Sequence, residues 1–403
     1  MMAEKPTLLY LETPVRNYAW GSHEWIAQIR GMAAPTLEPE AELWIGSHDA
    51  DPSLVPNRGP LNQVIAEDPE HFLGLMATKK FGKALPFLLK VLAVAEPLSL
   101  QVHPTLAQAK AGFIQENEAG IHIHSGDRTF VDGNHKPELL VAVSDFYALV
   151  GFREISEIIE LVGIFVEEGA AGLAVRILEP LIERPTAEAL HSVIRELVGQ
   201  ADDRAFIAEI TSAAKKVELK NDKYADIASW FLKIAKRFPD RPDLAVTLLL
   251  NLIHLKPGDS IYVAPGQIHS YLGGLGIEIM SSSDNVVRGG LTPKHVDVPA
   301  FLSMVDWTPG VIHQIEGIEE GGITTWSPPT DDFVLSRIDC SGELSGLEAN
   351  APSVLFALSN EALISRGSEI IKMKQGDSIF LTPGSPFAVY GNCTLWRGSC
   401  RVG

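Results

Sequence analysis

Lys256-Pro257-Gly258-Asp259-Ser260-Ile261-Tyr262 is followed by Pro265-Gly266, and the pattern returns near the end of the chain as Lys374-Gln375-Gly376-Asp377-Ser378-Ile379-Phe380 followed by Pro383-Gly384. One offset, 374 − 256 = 118, relates all the matched positions. A Gly-Asp turn, a short apolar run and a Pro-Gly turn, given twice in one register, point to two copies of one small β-barrel. The copies differ where chemistry would sit. His269 follows the first Pro-Gly turn, and Phe387 stands at its counterpart. The first barrel keeps a polar ligand where the second keeps an aromatic plug, so the second is read as structural.

Outward from the repeat, three textures divide the 403 residues, a length that calls for two or three domains. Residues 1–152 and 245–310 carry short apolar runs broken by Gly, Pro and Asn, which is strand-and-turn punctuation. Residues 311–403 continue it. Between them, residues 153–244 change period: Ile155, Ile158, Ile159 and Val162, then Ala189, Leu190, Val193, Ile194 and Leu197, then Ile227, Trp230, Phe231 and Ile234 recur at helical spacing. The expected fold is mainly β with an α insert: a barrel from residues 1–152 with 245–310, a helical domain over 153–244, and a second jelly-roll barrel over 311–403. A short helix is expected to start at Pro104-Thr105.

A net charge of −18 argues against a broad contact with nucleic acid, which needs clustered Lys and Arg. It leaves room for a small anion held by a few local cations. The three cysteines, Cys340, Cys393 and Cys400, form no CxxC pair and are odd in number. They read as small buried thiols in a reducing compartment. Residues 1–10 show no basic-then-apolar leader, and no apolar run approaches the roughly 20 residues of a membrane span. A cytoplasmic location without a membrane partner is expected. Nothing in the sequence requires an oligomer, and a monomer is compatible with it.

Leu98-Ser99-Leu100-Gln101-Val102-His103 alternates strictly. In a strand this puts Ser99, Gln101 and His103 on one face. Alone, such alternation is the ordinary pattern of a sheet with one wet side. His135-Lys136-Pro137-Glu138 enters an apolar run, with Pro137 confining it to a strand start or edge. Alone, Lys136 and Glu138 would be a surface pair. Together with His269, however, Gln101, His103 and Glu138 supply one amide oxygen, one carboxylate and two imidazoles. That set suits a divalent cation such as zinc, with a position left for water or substrate. It resembles the cupin metal pattern, with Gln101 in place of the first His, Glu138 displaced by an insertion, and Pro265 one step later than usual.

With these residues in place the chain resembles the type I mannose-6-phosphate isomerases (phosphomannose isomerases) of the cupin superfamily. The stretches that carry the likeness are Asn17-Tyr18-Ala19-Trp20-Gly21, Glu42-Leu43-Trp44-Ile45-Gly46, residues 98–104, Asn134-His135-Lys136-Pro137-Glu138, residues 264–272, and Ser283-Asp284-Asn285-Val286-Val287-Arg288-Gly289-Gly290-Leu291-Thr292-Pro293-Lys294. The likeness extends over residues 10 to about 307, most of the chain. The resemblance implies one zinc ion on Gln101, His103, Glu138 and His269, an active-site arginine at Arg288, and Ser99 and Lys294 at the substrate phosphate. It implies two cupin-type barrels flanking a helical domain, and interconversion of mannose 6-phosphate and fructose 6-phosphate.

Such a reaction moves a proton between C1 and C2 through an enediolate, which needs charge stabilisation and a positioned base. Arg288 suits the developing oxyanion. Glu278, set between Ile277 and Ile279, is a base candidate, because a carboxylate among apolar neighbours has a raised pKa. Lys136, expected beside the metal, is the competing one. Lys90 is a further candidate for the phosphate. Trp20 and Trp44 either line the sugar pocket or pack the core beside their glycine turns. Two rival readings use the same ligands: a cupin metal-dependent dioxygenase on non-haem iron, and a non-catalytic sugar-binding bicupin.

Overall fold

The repeated segments fold into the same turn in the computed structural model of this chain, which describes residues 5–126, 128–294 and 296–403. Gly258 and Gly376 take φ values of +95° and +87°, a region open to glycine and strained for other residues. In each copy the aspartate carboxylate accepts a backbone N–H three residues back: Asp259 from Lys256 at 2.9 Å, Asp377 from Lys374 at 2.7 Å. Buried strands follow, Ser260–Val263 and Ser378–Leu381.

Each strand joins its own sheet. Ser260–Val263 pairs with Glu138–Ala142. Ser378–Leu381 pairs with Ser353–Ser359 on one side and with Leu8–Leu11 on the other. The start of the chain, grouped with the first barrel by its position in sequence, thus supplies a strand to the C-terminal sheet. Without it that sheet would present a row of unpaired backbone groups at its edge.

The first sheet is organised by one long strand, His269–Ser281. Its first part pairs with Phe146–Phe152. Its second part pairs with Phe87–Val94 and Glu138–Ala142. The change of partners falls at Gly273-Gly274, where the register shifts and Gly274 takes a φ of +132°. A Cβ on Gly274 would lie 2.7 Å from the Asp145 carbonyl oxygen, so the corner depends on glycine. A strand that changes partners at a bend curls its sheet. The result is a mainly β molecule with curled sheets and helices on one flank.

Every residue of Phe87–Val94 is buried, and alternation sorts them between two environments. Phe87, Leu89, Val91 and Ala93 pack outward against Trp326, Phe333 and Trp396 of the C-terminal sheet. Leu92 and Val94 pack inward with Leu140, Val263 and Tyr271, and Leu88 packs with Trp44 and Met280. A strand covered on both faces reads as a continuous apolar run. Lys90 is its one charged member, on the inward side.

The helical period predicted for residues 153–244 is realised in Ile155–Glu167, Ala187–Gly199 and Ala225–Ala235, with Arg204–Lys220 added. Ile158, Val162, Leu190, Ile194, Phe231 and Ile234 share one core with Leu100, Val102, Leu149 and Leu272 of the first sheet. The helix after His103 starts where expected, at Leu106, with Thr105 and Gln108 bonded reciprocally as a capping box. Leu89 is fully buried between the sheets. Leu89→Ala is expected to lower the free energy of unfolding by about 2–5 kcal/mol, read from the midpoint of a denaturant titration.

Candidate metal centre

The strand Leu100–Val102 is short, and its two apolar residues turn outward into the helical core. Alternation therefore sends Gln101 inward. Gln101 lies opposite His269 on one neighbouring strand and opposite Arg288 on the other. Residues paired directly across antiparallel strands share a face, so all three point the same way. Glu138 opens the strand Glu138–Ala142 and faces Met280 across the ladder.

His103, Glu138 and His269 converge. One ligand atom from each lies within 4.8 Å of the others, and all three residues are buried. The Nε2 atoms of His103 and His269 stand 3.3 Å and 3.6 Å from the two oxygens of Glu138. The far side of each ring is fixed. His103 Nδ1 lies 2.8 Å from the Asn285 carbonyl oxygen, and His269 Nδ1 lies 3.0 Å from that of Gln267. A carbonyl only accepts, so each Nδ1 carries the proton and each Nε2 presents a lone pair. Both Nε2 atoms are buried and have no hydrogen-bond partner. Two buried lone pairs aimed past a carboxylate, with their other nitrogens locked by backbone oxygens, are the donor set and outer support a divalent metal requires.

The electrostatics agree with neutral imidazoles and an ionised carboxylate. Burial, followed by the neighbouring His103, pushes His269 down to about 4. Burial and then Lys136 lower His103 as well. Burial alone would raise Glu138, but Lys136, whose Nζ is 3.1 Å away, and His103 hold it well below the ordinary carboxylate range.

A second group of charges lies deeper. Lys90 is buried between Glu42 and Glu278, 3.6 Å and 3.5 Å from their oxygens. Burial works against its charge, yet Glu42 and then Glu278 more than offset that and raise its pKa. Glu42 is also held by Trp44 Nε1 at 2.5 Å. Glu278 is 3% exposed, so it is a buried carboxylate and not a rim group in water. Burial and then Glu138 push it up to about 7. Lys90, a candidate for the phosphate, lines the cleft and has its charge matched by the Glu42 and Glu278 carboxylates.

Above these groups opens a cleft of about 610 Å³, lined by Trp20, Trp44, Ser99, Gln101, Arg288 and Lys294 among others. Trp20 stacks on Tyr18 at the mouth with centroids 5.7 Å apart. Trp44 is buried beneath the Arg16 guanidinium. Arg288 is half-buried and Lys294 exposed. Arg288 lowers the Lys294 pKa, and burial adds to the effect, so the two cations stand close together. The segment that leads into the strand Val287–Gly290 is anchored by Asn285 and Ser283, which bond Asp132 and the Asn134 carbonyl.

Two members of the site escaped the sequence reading. Tyr271 has a buried hydroxyl without a hydrogen-bond partner, its pKa raised by burial, then by Glu278 and Glu138. It follows His269 by two in the same strand, and that spacing was a usable signal. Arg237 lines the cleft from the helical region, and no local pattern marks it.

A curled β sheet that gathers two imidazoles and a carboxylate under an open, cation-bearing cleft has the make-up of a metalloenzyme. Residues 8–155 match the family described as phosphomannose isomerase type I, catalytic domain. The chain is 34% identical over 391 residues to mannose-6-phosphate isomerase of Escherichia coli, covering 95% of this chain and 97% of that one. The human mannose-6-phosphate isomerase is 28% identical over 409 residues, with 93% of each covered. A crystal structure of the Salmonella typhimurium enzyme, described as bound to substrate (F6P) and zinc, superposes with a TM-score of 0.86 at 31% identity, covering 98% of this chain and all of that one. This chain belongs to the type I phosphomannose isomerase family.

The lowered His269 has a consequence for the metal-free protein. Its unfolded form takes up a proton below about pH 6.5 and its folded form only near 4, so acidification across that window favours unfolding through this residue. With metal removed, the loss of stability between these pH values is expected to be smaller in His269→Gln than in the parent chain, as followed by thermal melts at stepped pH.

Proposed function

We infer that this chain is a mannose-6-phosphate isomerase that interconverts mannose 6-phosphate and fructose 6-phosphate with one zinc ion. The observation that carries the reading is the pair of orphaned imidazole nitrogens facing Glu138 in a chain aligned almost end to end with isomerases of that name. His103, Glu138 and His269 would hold the ion, with Gln101 as the fourth ligand. The register of Gln101 against His269 supports that assignment. When bound, zinc supplies Lewis-acid polarisation of the sugar oxygens.

The remaining chemistry falls to side chains. Glu278 is the base that moves the proton between C1 and C2. Its raised pKa sits near neutrality, where a base and its conjugate acid are both accessible, and Lys90 beside it stabilises the carboxylate form. Lys136 is committed to Glu138 at 3.1 Å, which fits ligand support better than proton transfer. Arg288 faces the ligand side of the sheet through its pairing with Gln101 and meets the negative charge that develops on the sugar oxygens. Ser99 and Lys294, at the mouth of the same cleft, receive the phosphate. The aromatic pair Tyr18 and Trp20 covers the sugar.

The finer architecture is read as two cupin-type jelly rolls, a metal-bearing one from residues 1–152 with 245–310 and a degenerate one over 311–403, with 153–244 as a helical insert. The shared turn at Gly258 and Gly376 supports this. So does Phe387, the counterpart of His269, which is buried with the Arg397 guanidinium 5.6 Å above its ring. Three buried free thiols and the absence, among the described residues, of a helix long and apolar enough to cross a membrane are in keeping with a cytoplasmic enzyme.

Chelator-treated protein is expected to lose conversion of mannose 6-phosphate in a coupled assay and to regain it with zinc. Full activity at undetectable metal content would remove the proposal. Glu278→Gln is expected to retain metal while kcat falls by about 10²–10⁴-fold; an unchanged kcat would transfer the base role to Lys136.

A further inference from the structure

Seven lysines and arginines line the cleft, and their partners sort them. Arg16 is paired with Asp51 at 2.7 Å, Lys90 with Glu42 and Glu278, Arg128 with Glu116 at 3.0 Å, and Lys136 with Glu138. Among the described residues the other three, Arg237, Arg288 and Lys294, have no carboxylate partner. Arg288 lies in the strand Val287–Gly290, opposite Gln101, and Lys294 follows in the segment just beyond it. Arg237 comes from a different part of the molecule, two residues beyond the helix Ala225–Ala235.

The end of that helix is held against the segment that leads to Ser99. Lys233 Nζ donates to the Ala95 carbonyl at 3.3 Å, and Arg237 Nη1 donates to the Pro97 carbonyl at 3.5 Å. The second bond is at the limit of a hydrogen bond and uses one of five guanidinium donors. Arg237 is exposed, so its remaining donors are free to meet a ligand. Its anchor on Pro97 sets it beside Ser99, and it shares the cleft wall with Pro293 and Lys294.

We propose that Arg237 is a third cation of the phosphate site, so that the helical region completes the binding of the phosphorylated sugar. A phosphate monoester carries nearly two negative charges at neutral pH and three acceptor oxygens. Three unpaired cations, two of them guanidinium groups able to bind in a forked geometry, match that demand. Paired cations elsewhere in the cleft do not, since each would have to give up a carboxylate. The proposal rests on the isomerase reading above.

The test is steady-state kinetics of Arg237→Gln and Arg237→Lys on zinc-replete protein, with inorganic phosphate as competitive inhibitor. Arg237→Gln is expected to raise KM for mannose 6-phosphate and the inhibition constant for inorganic phosphate by about tenfold each, with kcat within about twofold and zinc content unchanged. Arg237→Lys is expected to recover part of both losses. Unchanged KM and phosphate inhibition in Arg237→Gln would overturn the assignment, as would a fall in kcat at constant KM. Absence of turnover in the parent chain would instead sink the isomerase reading.

Discussion

A buried carboxylate must be compensated, and the first sheet is arranged around that requirement at Glu138. An ion of this kind taken from water costs several kcal/mol unless matched by charge and hydrogen bonds. Glu138 is 3% exposed. It is met by Lys136 on its own strand entry and by two imidazoles, one just past the strand Leu100–Val102 and one at the start of His269–Ser281. The imidazoles arrive neutral, with Nδ1 tied to backbone oxygens, so they supply lone pairs and no charge. The surplus of donors around one point is what a dication satisfies.

The device that brings these groups together is the bend in His269–Ser281. Before Gly273-Gly274 the strand presents His269 to Gln101; after it, the strand presents Glu278 to Lys90. One strand thus serves the His103–Glu138–His269 cluster with one half and the carboxylate–lysine group with the other. Glycine is required at the corner because the backbone of Asp145 and Phe146 fills the space a Cβ would take.

Both outer faces of this sheet are covered by apolar partners, the helices on one side and the C-terminal sheet on the other. Charge is thereby confined to the inner face. Lys90, Glu42 and Glu278 are embedded in apolar surroundings, which strengthens their mutual attraction and lifts Glu278 toward neutrality. The helical region does more than cover. Its last helix clamps the backbone at Ala95 and Pro97 and so sets the edge from which Ser99 enters the cleft.

By itself the sequence determined the local chemistry. Period-two alternation set which residues of 98–103 face inward, helical spacing marked out 153–244, and the Gly-Asp repeat identified two copies of one turn, because all three depend on contacts within a few residues. It also marked out the residues that converge, since His103, Glu138 and His269 stand in short motifs of recognisable kind. Tertiary structure alone decided the rest. It placed Leu8–Leu11 in the far sheet, set Lys90 between two buried carboxylates, and brought Arg237 to the cleft from the helices. Each of these depends on at least one pairing between residues more than a hundred positions apart, and no local period or motif encodes which distant edge or charge a side chain will meet.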